Sequence, residues 1–316
     1  MTNSARRRIL LSVTSHDPAP WIDLLSPTYD VVTEPQGSAD PTIDYAIVWK
    51  HPHGVMSRLP NLKAVLSLGA GVDHILTDPD LPDVPIARVV AQNLTRHMTE
   101  YVAWRVLDHH RQGFAYRSQQ KTHSWKELEQ PEAAEANVGI MGLGQLGMAA
   151  AQTLLGLGFK VNGWTRAPRQ ADGITTFHGP EQLAAFLAAT DVLVVLLPHT
   201  KATEGIIDYE LLSGLRRQRG SGGAVLINAG RGKLQNERDI LRALEDGLLK
   251  EASLDVFEQE PLDSFSPLWS HPGVFITPHA AAASNAAHLV PLMLEQFARL
   301  ERGEQLEHLV DRNAGY

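Results

Sequence analysis

Residues 137–147 read NVGIMGLGQLG, an apolar β-type run that breaks into a Gly-x-Gly-x-x-Gly turn and opens directly into the helix-forming MAAAQTLL of 148–155. Few folds accept that order. Gly142 allows the tight turn, Gly144 lets backbone amides approach a pyrophosphate, and Gly147 lets helix and strand pack closely, with Gln145 and Leu146 at the helix start that faces the phosphates. The glycine spacing alone is weak evidence. Here a second β-type run at residues 160–164 completes a β-α-β unit, so the segment reads as a dinucleotide site.

At the end of that second run, a chain that binds NAD usually has Asp or Glu, whose carboxylate accepts hydrogen bonds from both ribose hydroxyls. This chain has Trp164-Thr165-Arg166, with Arg169 just beyond. A carboxylate repels a 2′-phosphate, whereas threonine and arginine donate to it, so the expected cofactor is NADPH, with NADH used at lower preference. The bland alternative is that the two arginines are solvated loop charges.

The rest of the chain alternates in the same way. Short β-type runs at 8–13, 45–49, 63–67 and 86–89 precede a polar and aromatic stretch from 99 to 125, and a second series follows at 138–141, 160–164, 191–197, 224–228, 252–256 and 274–277. Strands separated by helical stretches form parallel sheets flanked by helices. The fold class expected is therefore α/β, with two doubly wound parallel-sheet (Rossmann/flavodoxin-like) domains and a cleft between them. Between the two series a connecting helix starts at Thr99-Glu100, meets a breaker at Gly113, and gives way to an extended arm. A last helix is expected over 285–302.

Composition removes several alternatives. With no cysteine there is no disulfide, thiolate metal site or cysteine nucleophile. A net charge of −8 argues against nucleic acid as a partner. No apolar run approaches the ~20 residues that span a bilayer, so no membrane partner is expected. Arg6-Arg7-Arg8 runs into Ile9-Leu10-Leu11 without the apolar core and cleavage site of a signal peptide, and reads as the charged lip of a first strand in a cytoplasmic protein. The histidines, His51, His53, His109 and His110 among them, show no third ligand at a suitable spacing, so no metal is expected.

Three more segments lie at predicted strand ends: Asn228-Ala229-Gly230-Arg231-Gly232, then Leu254-Asp255 through Glu260-Pro261, then Thr277-Pro278-His279. Residues just past the strand carboxyl ends line the ligand crevice of an open α/β sheet. Brought together there, Arg231 can fork onto a carboxylate and polarise a neighbouring carbonyl, His279 can deliver a proton to that carbonyl oxygen, and Glu260 can hold the imidazole charged and oriented.

With these motifs in order, the chain resembles the D-isomer-specific 2-hydroxyacid dehydrogenase family over nearly its whole length, from DYAIVW at 44–49 through LSLGAGVD at 66–73 to SPLW at 266–269 and the C-terminal residues. The resemblance implies that Arg231, Glu260 and His279 are the catalytic residues. It puts Gly69, Ala70, Gly71 and Val72 on the loop whose backbone holds the substrate carboxylate. Asp255 falls on the contact to the nicotinamide amide, and Leu197, Pro198 and Thr200 on the loop beside the adenosine half, with Ala229 nearby. Trp49 walls the substrate pocket, although the following Lys50-His51-Pro52-His53-Gly54 is more polar than the proline-rich turn of related reductases. The resemblance also implies a homodimer in which Trp125 from the arm of one subunit reaches the other's pocket. It divides the chain into a discontinuous substrate domain, 1–103 with 284–316, and a dinucleotide domain, 104–283. The expected activity is NADPH-dependent reduction of a short 2-keto acid, such as glyoxylate to glycolate or hydroxypyruvate to D-glycerate. The rivals are a non-catalytic NAD(H)-sensing corepressor on the same fold and a dehydrogenase for a bulkier keto acid.

Overall fold

The computed structural model describes residues 6–14, 17–216 and 223–316. The chain begins with β1 (Arg8–Val13), α1 (Ala19–Leu25), β2 (Asp30–Val32), β3 (Ile43–Trp49), β4 (Ala64–Ser67), α2 (Asp73–Leu76) and β5 (Ile86–Arg88). These strands form one all-parallel sheet in the order β2-β1-β3-β4-β5. Ile9, Leu10 and Leu11 of β1 and Ala46, Ile47 and Val48 of β3 are all buried, the near-continuous apolar pattern of strands covered on both faces. The arginine lip is paired where β1 begins: Arg8 Nε lies 2.7 Å from Asp30 and Arg7 Nε 3.1 Å from Glu301.

There follow α3 (Gln92–His110), α4 (Gly113–Lys121), β6 (Asn137–Met141), α5 (Gln145–Gly156), β7 (Lys160–Thr165), β8 (Ile174–His178), α6 (Leu183–Ala188), β9 (Val192–Val195), α7 (Tyr209–Ser213), β10 (Ala224–Asn228), α8 (Glu237–Glu245), β11 (Leu249–Leu254), β12 (Val274–Ile276) and α9 (Ala286–Glu301). The second sheet is all-parallel, ordered β12-β11-β10-β9-β6-β7-β8. Strand order reverses between β6 and β9, the position at which doubly wound sheets open a crevice for a ligand. Val138, Ile140, Val192, Val194, Val225 and Ile227 enter one core, and Met141, Leu193, Val195 and Leu226 enter another. That alternation directs successive side chains to opposite faces of the sheet. Both sheets are of the expected α/β type.

Two compact units result, Met1–Leu94 with Ala283–Tyr316, and Thr95–Ala282. The first division falls earlier than the expected 103/104 because α3 is one continuous helix: Met98, Tyr101, Val102 and Val106 recur at helical spacing in the core formed with β6 and α5. The second division falls at Ala282/Ala283, against 283/284. The last helix joins the first sheet, where Phe297 stacks on Tyr45 with ring centroids 4.4 Å apart.

Four local expectations need correction. Strands β2 and β8 were not anticipated, so the second sheet has seven strands where six were read. Both lie at sheet edges, and their residues are mostly only partly buried, so the apolar signal is faint. Helix α3 starts at Gln92, not Thr99. Gly113 begins α4 instead of opening an extended arm: Gln112 turns the chain with φ 59°, and the Arg117–Asp108 pair, bidentate at 2.8 Å, closes over the glycine. A Cβ at Gly113 would stand 2.0 Å from Asp108 Oδ1.

A buried polar cluster ties α3 to β11. His109 Nδ1 is 2.5 Å from Glu251 Oε2, its Nε2 is 2.8 Å from Ser253 Oγ, and Arg105 Nε donates to the same oxygen at 2.9 Å. Among the described residues no helix is long and apolar enough to cross a membrane, and no group of three His, Asp or Glu side chains could hold a metal ion.

Candidate active site

The glycine turn after β6 is built for a close backbone approach. Gly142 has φ 104°, a conformation open to glycine, and its N–H donates to Trp164 O at 3.0 Å. A Cβ at Gly147 would lie 2.0 Å from Gly142 O, so only glycine lets α5 start this close to the turn. Gly144 caps α5, and a Cβ there would meet nothing within 4 Å. The unpaired amides of the first helical turn, Gln145 and Leu146 included, thus border open space, which fits a pyrophosphate at a helix N-terminus.

At the end of β7 the residues divide. Trp164 is a core side chain, 9% exposed, whose indole donates to Gly179 O at 2.9 Å; its part in the turn is the carbonyl that accepts from Gly142. The Thr165 hydroxyl donates to Ala167 O at 2.7 Å, so it must rotate to donate elsewhere. Arg166 is exposed, and Arg169 donates to Leu143 O, which brings its guanidinium over the glycine turn. No carboxylate stands at this strand end.

Beyond β9, the residues expected beside the adenosine half form a tight loop. Leu197 is buried, Thr203 Oγ donates to Pro198 O at 2.7 Å, and Thr200 N donates to Thr203 Oγ at 2.8 Å. Ala229, past β10, donates to Val195 O at 3.2 Å. The Arg231 loop is shaped from beneath by Asn228, fully buried. Its Oδ1 accepts from Gly230 N at 3.0 Å, and its Nδ2 donates to Gln235 Oε1 at 2.8 Å. Gln235 in turn donates to Val256 O at 2.9 Å. A Cβ at Gly232 would sit 1.7 Å from Phe257 O, so the loop bearing Arg231 lies directly on the one that leads to Glu260.

His279 follows β12 with φ 54°, a left-handed conformation unusual for a residue with a side chain. Its Nδ1 lies 2.9 Å from Glu260 Oε2 and 3.1 Å from Oε1. A carboxylate only accepts, so Nδ1 carries hydrogen and Nε2 is the nitrogen directed away from the pair. Glu260 Oε1 also accepts from Phe257 N at 3.3 Å. Asp255, 1% exposed, accepts from Thr277 Oγ at 2.6 Å, Ala280 N at 2.8 Å and Ala281 N at 3.1 Å, so in this structure its carboxylate secures the segment that carries His279.

Within the first unit, Trp49 ends β3 and the 69–72 loop follows β4, again at strand carboxyl ends. A Cβ at Gly69 would stand 2.6 Å from Trp49 Cζ3, so that glycine admits the indole. Gly71 O accepts from Ser67 Oγ at 2.7 Å, and Val72 is buried. Trp125, on the arm after α4, is fully exposed. Sequence reading overlooked Asn228, Gln235, Thr277 and Tyr101. Asn228 and Thr277 stood visibly at strand ends beside the chosen residues, whereas nothing in the sequence links Tyr101 to Thr277.

Residues 103–281 match the family described as D-isomer specific 2-hydroxyacid dehydrogenase, NAD binding domain. The chain belongs to the D-isomer specific 2-hydroxyacid dehydrogenase family. Within it, the chain is 40% identical over 309 residues to glyoxylate/hydroxypyruvate reductase A of Citrobacter koseri, covering 95% of this chain and 97% of that one. The NADPH-dependent glyoxylate/hydroxypyruvate reductase of Sinorhizobium meliloti, solved with NADP and sulfate, is 45% identical with a TM-score of 0.91, over 98% and 99% of the two chains. A D-isomer specific 2-hydroxyacid dehydrogenase of Xanthobacter autotrophicus, solved with NADPH and MES, is 39% identical, also with a TM-score of 0.91, over 99% and 100%.

Proposed function

We propose that this chain is an NADPH-dependent reductase of short 2-keto acids, converting glyoxylate to glycolate and hydroxypyruvate to D-glycerate. The observation that carries the reading is the His279–Glu260 pair at 2.9 Å, set just past a strand end of the unit that holds the glycine turn. The Thr95–Ala282 unit takes the dinucleotide, with its pyrophosphate against residues 144–147 and its 2′-phosphate against Arg166 and Arg169; the other unit takes the substrate.

When bound, the nicotinamide would supply hydride to the keto carbon. Arg231 anchors the substrate carboxylate and polarises the carbonyl, and the amides of residues 69–72 hold the carboxylate while Trp49 walls the pocket. His279 delivers a proton from Nε2 to the carbonyl oxygen. Glu260 accepts from Nδ1, which fixes the ring and favours its charged form. Asp255 keeps this segment in place and is assigned a contact to the nicotinamide amide. The protein works in the cytoplasm as a homodimer, with the exposed Trp125 indole buried at or near the partner's pocket.

A panel of keto acids assayed with NADPH and NADH tests this directly: reduction of glyoxylate and hydroxypyruvate with NADPH favoured is expected, and equal use of both cofactors or a clear preference for bulky keto acids overturns it. Trp125→Ala is expected to change the relative rates on glyoxylate, hydroxypyruvate and bulkier keto acids. Unaltered ratios would remove the pocket role, with sedimentation reporting the dimer separately.

A further inference from the structure

We propose that Thr277 and Tyr101 are positioning residues for His279, acting through a directed chain of hydrogen bonds from Tyr101 to Thr277 to Asp255. The inference rests on the reading of His279 as proton donor.

The direction of the chain follows from donor counting. Thr277 Oγ lies 2.6 Å from Asp255 Oδ1, and a carboxylate can only accept, so the threonine gives its single proton there. Tyr101 Oη, 2.8 Å from the same threonine oxygen, is then the donor in its bond. Burial pushes the Tyr101 hydroxyl up to about 12, so it keeps that proton at neutral pH. Hydroxyls linked in this order polarise one another.

What the chain holds is the turn that presents the imidazole. Asp255 O accepts from His279 N at 2.7 Å, Oδ1 accepts from Ala280 N at 2.8 Å and Oδ2 from Ala281 N at 3.1 Å, so one residue grips three successive amides. His279 needs such a grip, because its φ of 54° is disfavoured for a residue with a Cβ. Packing does not fully supply it. A cavity of about 350 Å³, lined by His97, Glu100, Tyr101, Trp104, Ala280 and Ala281, opens beside the turn. Tyr101 is itself anchored in the core with Met98, Val102 and Val106, so the hydroxyl chain joins the turn to a fixed helix.

The test compares Thr277→Val, Thr277→Ser and Tyr101→Phe. Thr277→Val is expected to lower kcat about tenfold, equivalent to about 1.4 kcal/mol, with KM for NADPH changed less than about twofold; serine restores the rate. Tyr101→Phe is expected to lower kcat about threefold, and to do nothing further in the Thr277→Val background. In cofactor-free protein, amide exchange at Ala280 and Ala281 quickens about tenfold in Thr277→Val, a readout independent of turnover. Wild-type exchange and kcat in Thr277→Val overturn the proposal. If that variant does not fold, the same result in Tyr101→Phe does so. Should His279→Ala keep wild-type turnover, the proton-donor reading falls and takes this proposal with it. An inactive His279→Ala beside a fully active Thr277→Val removes the positioning role alone.

Discussion

Of the histidine–carboxylate pairs in the dinucleotide-type unit, the two shortest have opposite surroundings. His109 and Glu251 lie 2.5 Å apart with side chains 1% and 5% exposed, while His279 and Glu260 lie 2.9 Å apart at 32% and 21%. The buried pair even continues to a hydroxyl, Ser253, in the order serine–histidine–glutamate familiar from nucleophilic hydrolases. Yet Ser253 is fully buried and also receives a bond from Arg105, so no substrate reaches it. A dyad is therefore not a site by geometry alone. Access and the surroundings of the second nitrogen distinguish the two pairs: His109 has that nitrogen on Ser253, whereas His279 has it directed away from Glu260.

The comparison is broken most easily at the two histidines. His279→Ala is expected to lower kcat for keto acid reduction by about 10²–10⁴-fold, the usual contribution of a general acid, while the dissociation constant for NADPH changes little; titration of cofactor fluorescence beside steady-state kinetics checks both. His109→Phe should do the reverse. It removes the imidazole donor from the buried Glu251 and leaves only the longer contact of 3.8 Å to Lys250, at a cost of about 1–3 kcal/mol in denaturant unfolding, with turnover per folded molecule unchanged. A rate loss in the second variant at full stability would erase the distinction between the two pairs.

Arg166 extends the contrast to an exposed charge. A charge-assisted hydrogen bond contributes about 1.5–3 kcal/mol net, so Arg166→Ala is expected to reduce the preference for NADPH over NADH by about tenfold or more at low ionic strength. If kcat/KM ratios stay intact, the selectivity belongs to Arg169 or Thr165.

The smallest effect concerns pH. Burial holds His109 below the ordinary imidazole value of 6.5, and burial does the same at His51 and His110. Because these groups bind protons less readily when folded, the stability they contribute is complete above about pH 6.5 and is lost as pH falls through the depressed folded values. Urea midpoints should be level from pH 8 to 7 and decline below, and removal of one such histidine should make the decline shallower. A decline equally steep in a His110→Gln variant would deny that site its share.

Much of this architecture is legible in the sequence. The run of apolar residues before Gly142 and the helix formers after Gly147 specify strand, turn and helix locally, because each residue's conformational needs are met by its immediate neighbours. The same holds for the last helix, where Asn285 caps residues that recur on one face. Less was legible where elements are weakly apolar. Val31 and Val32 and the ITTFH of β8 become strands only because a longer neighbour offers its edge. Gly113 misled for a different reason: it admits the nearby Asp108 carboxylate at the turn between α3 and α4, a contact that the left-handed turn at Gln112 creates.

By itself the sequence determined the two parallel-sheet units, the dinucleotide turn with its missing carboxylate, and the order in which Arg231, Glu260 and His279 appear, since these depend on local periodicity and on spacing along the chain. Tertiary structure alone decided which histidine faces solvent and which is sealed between α3 and β11, that Trp164 belongs to the core, and that Tyr101 meets Thr277, 176 positions further along the chain. Burial and hydrogen-bond partners between distant residues arise from packing, and one-dimensional pattern carries no record of the distance between them.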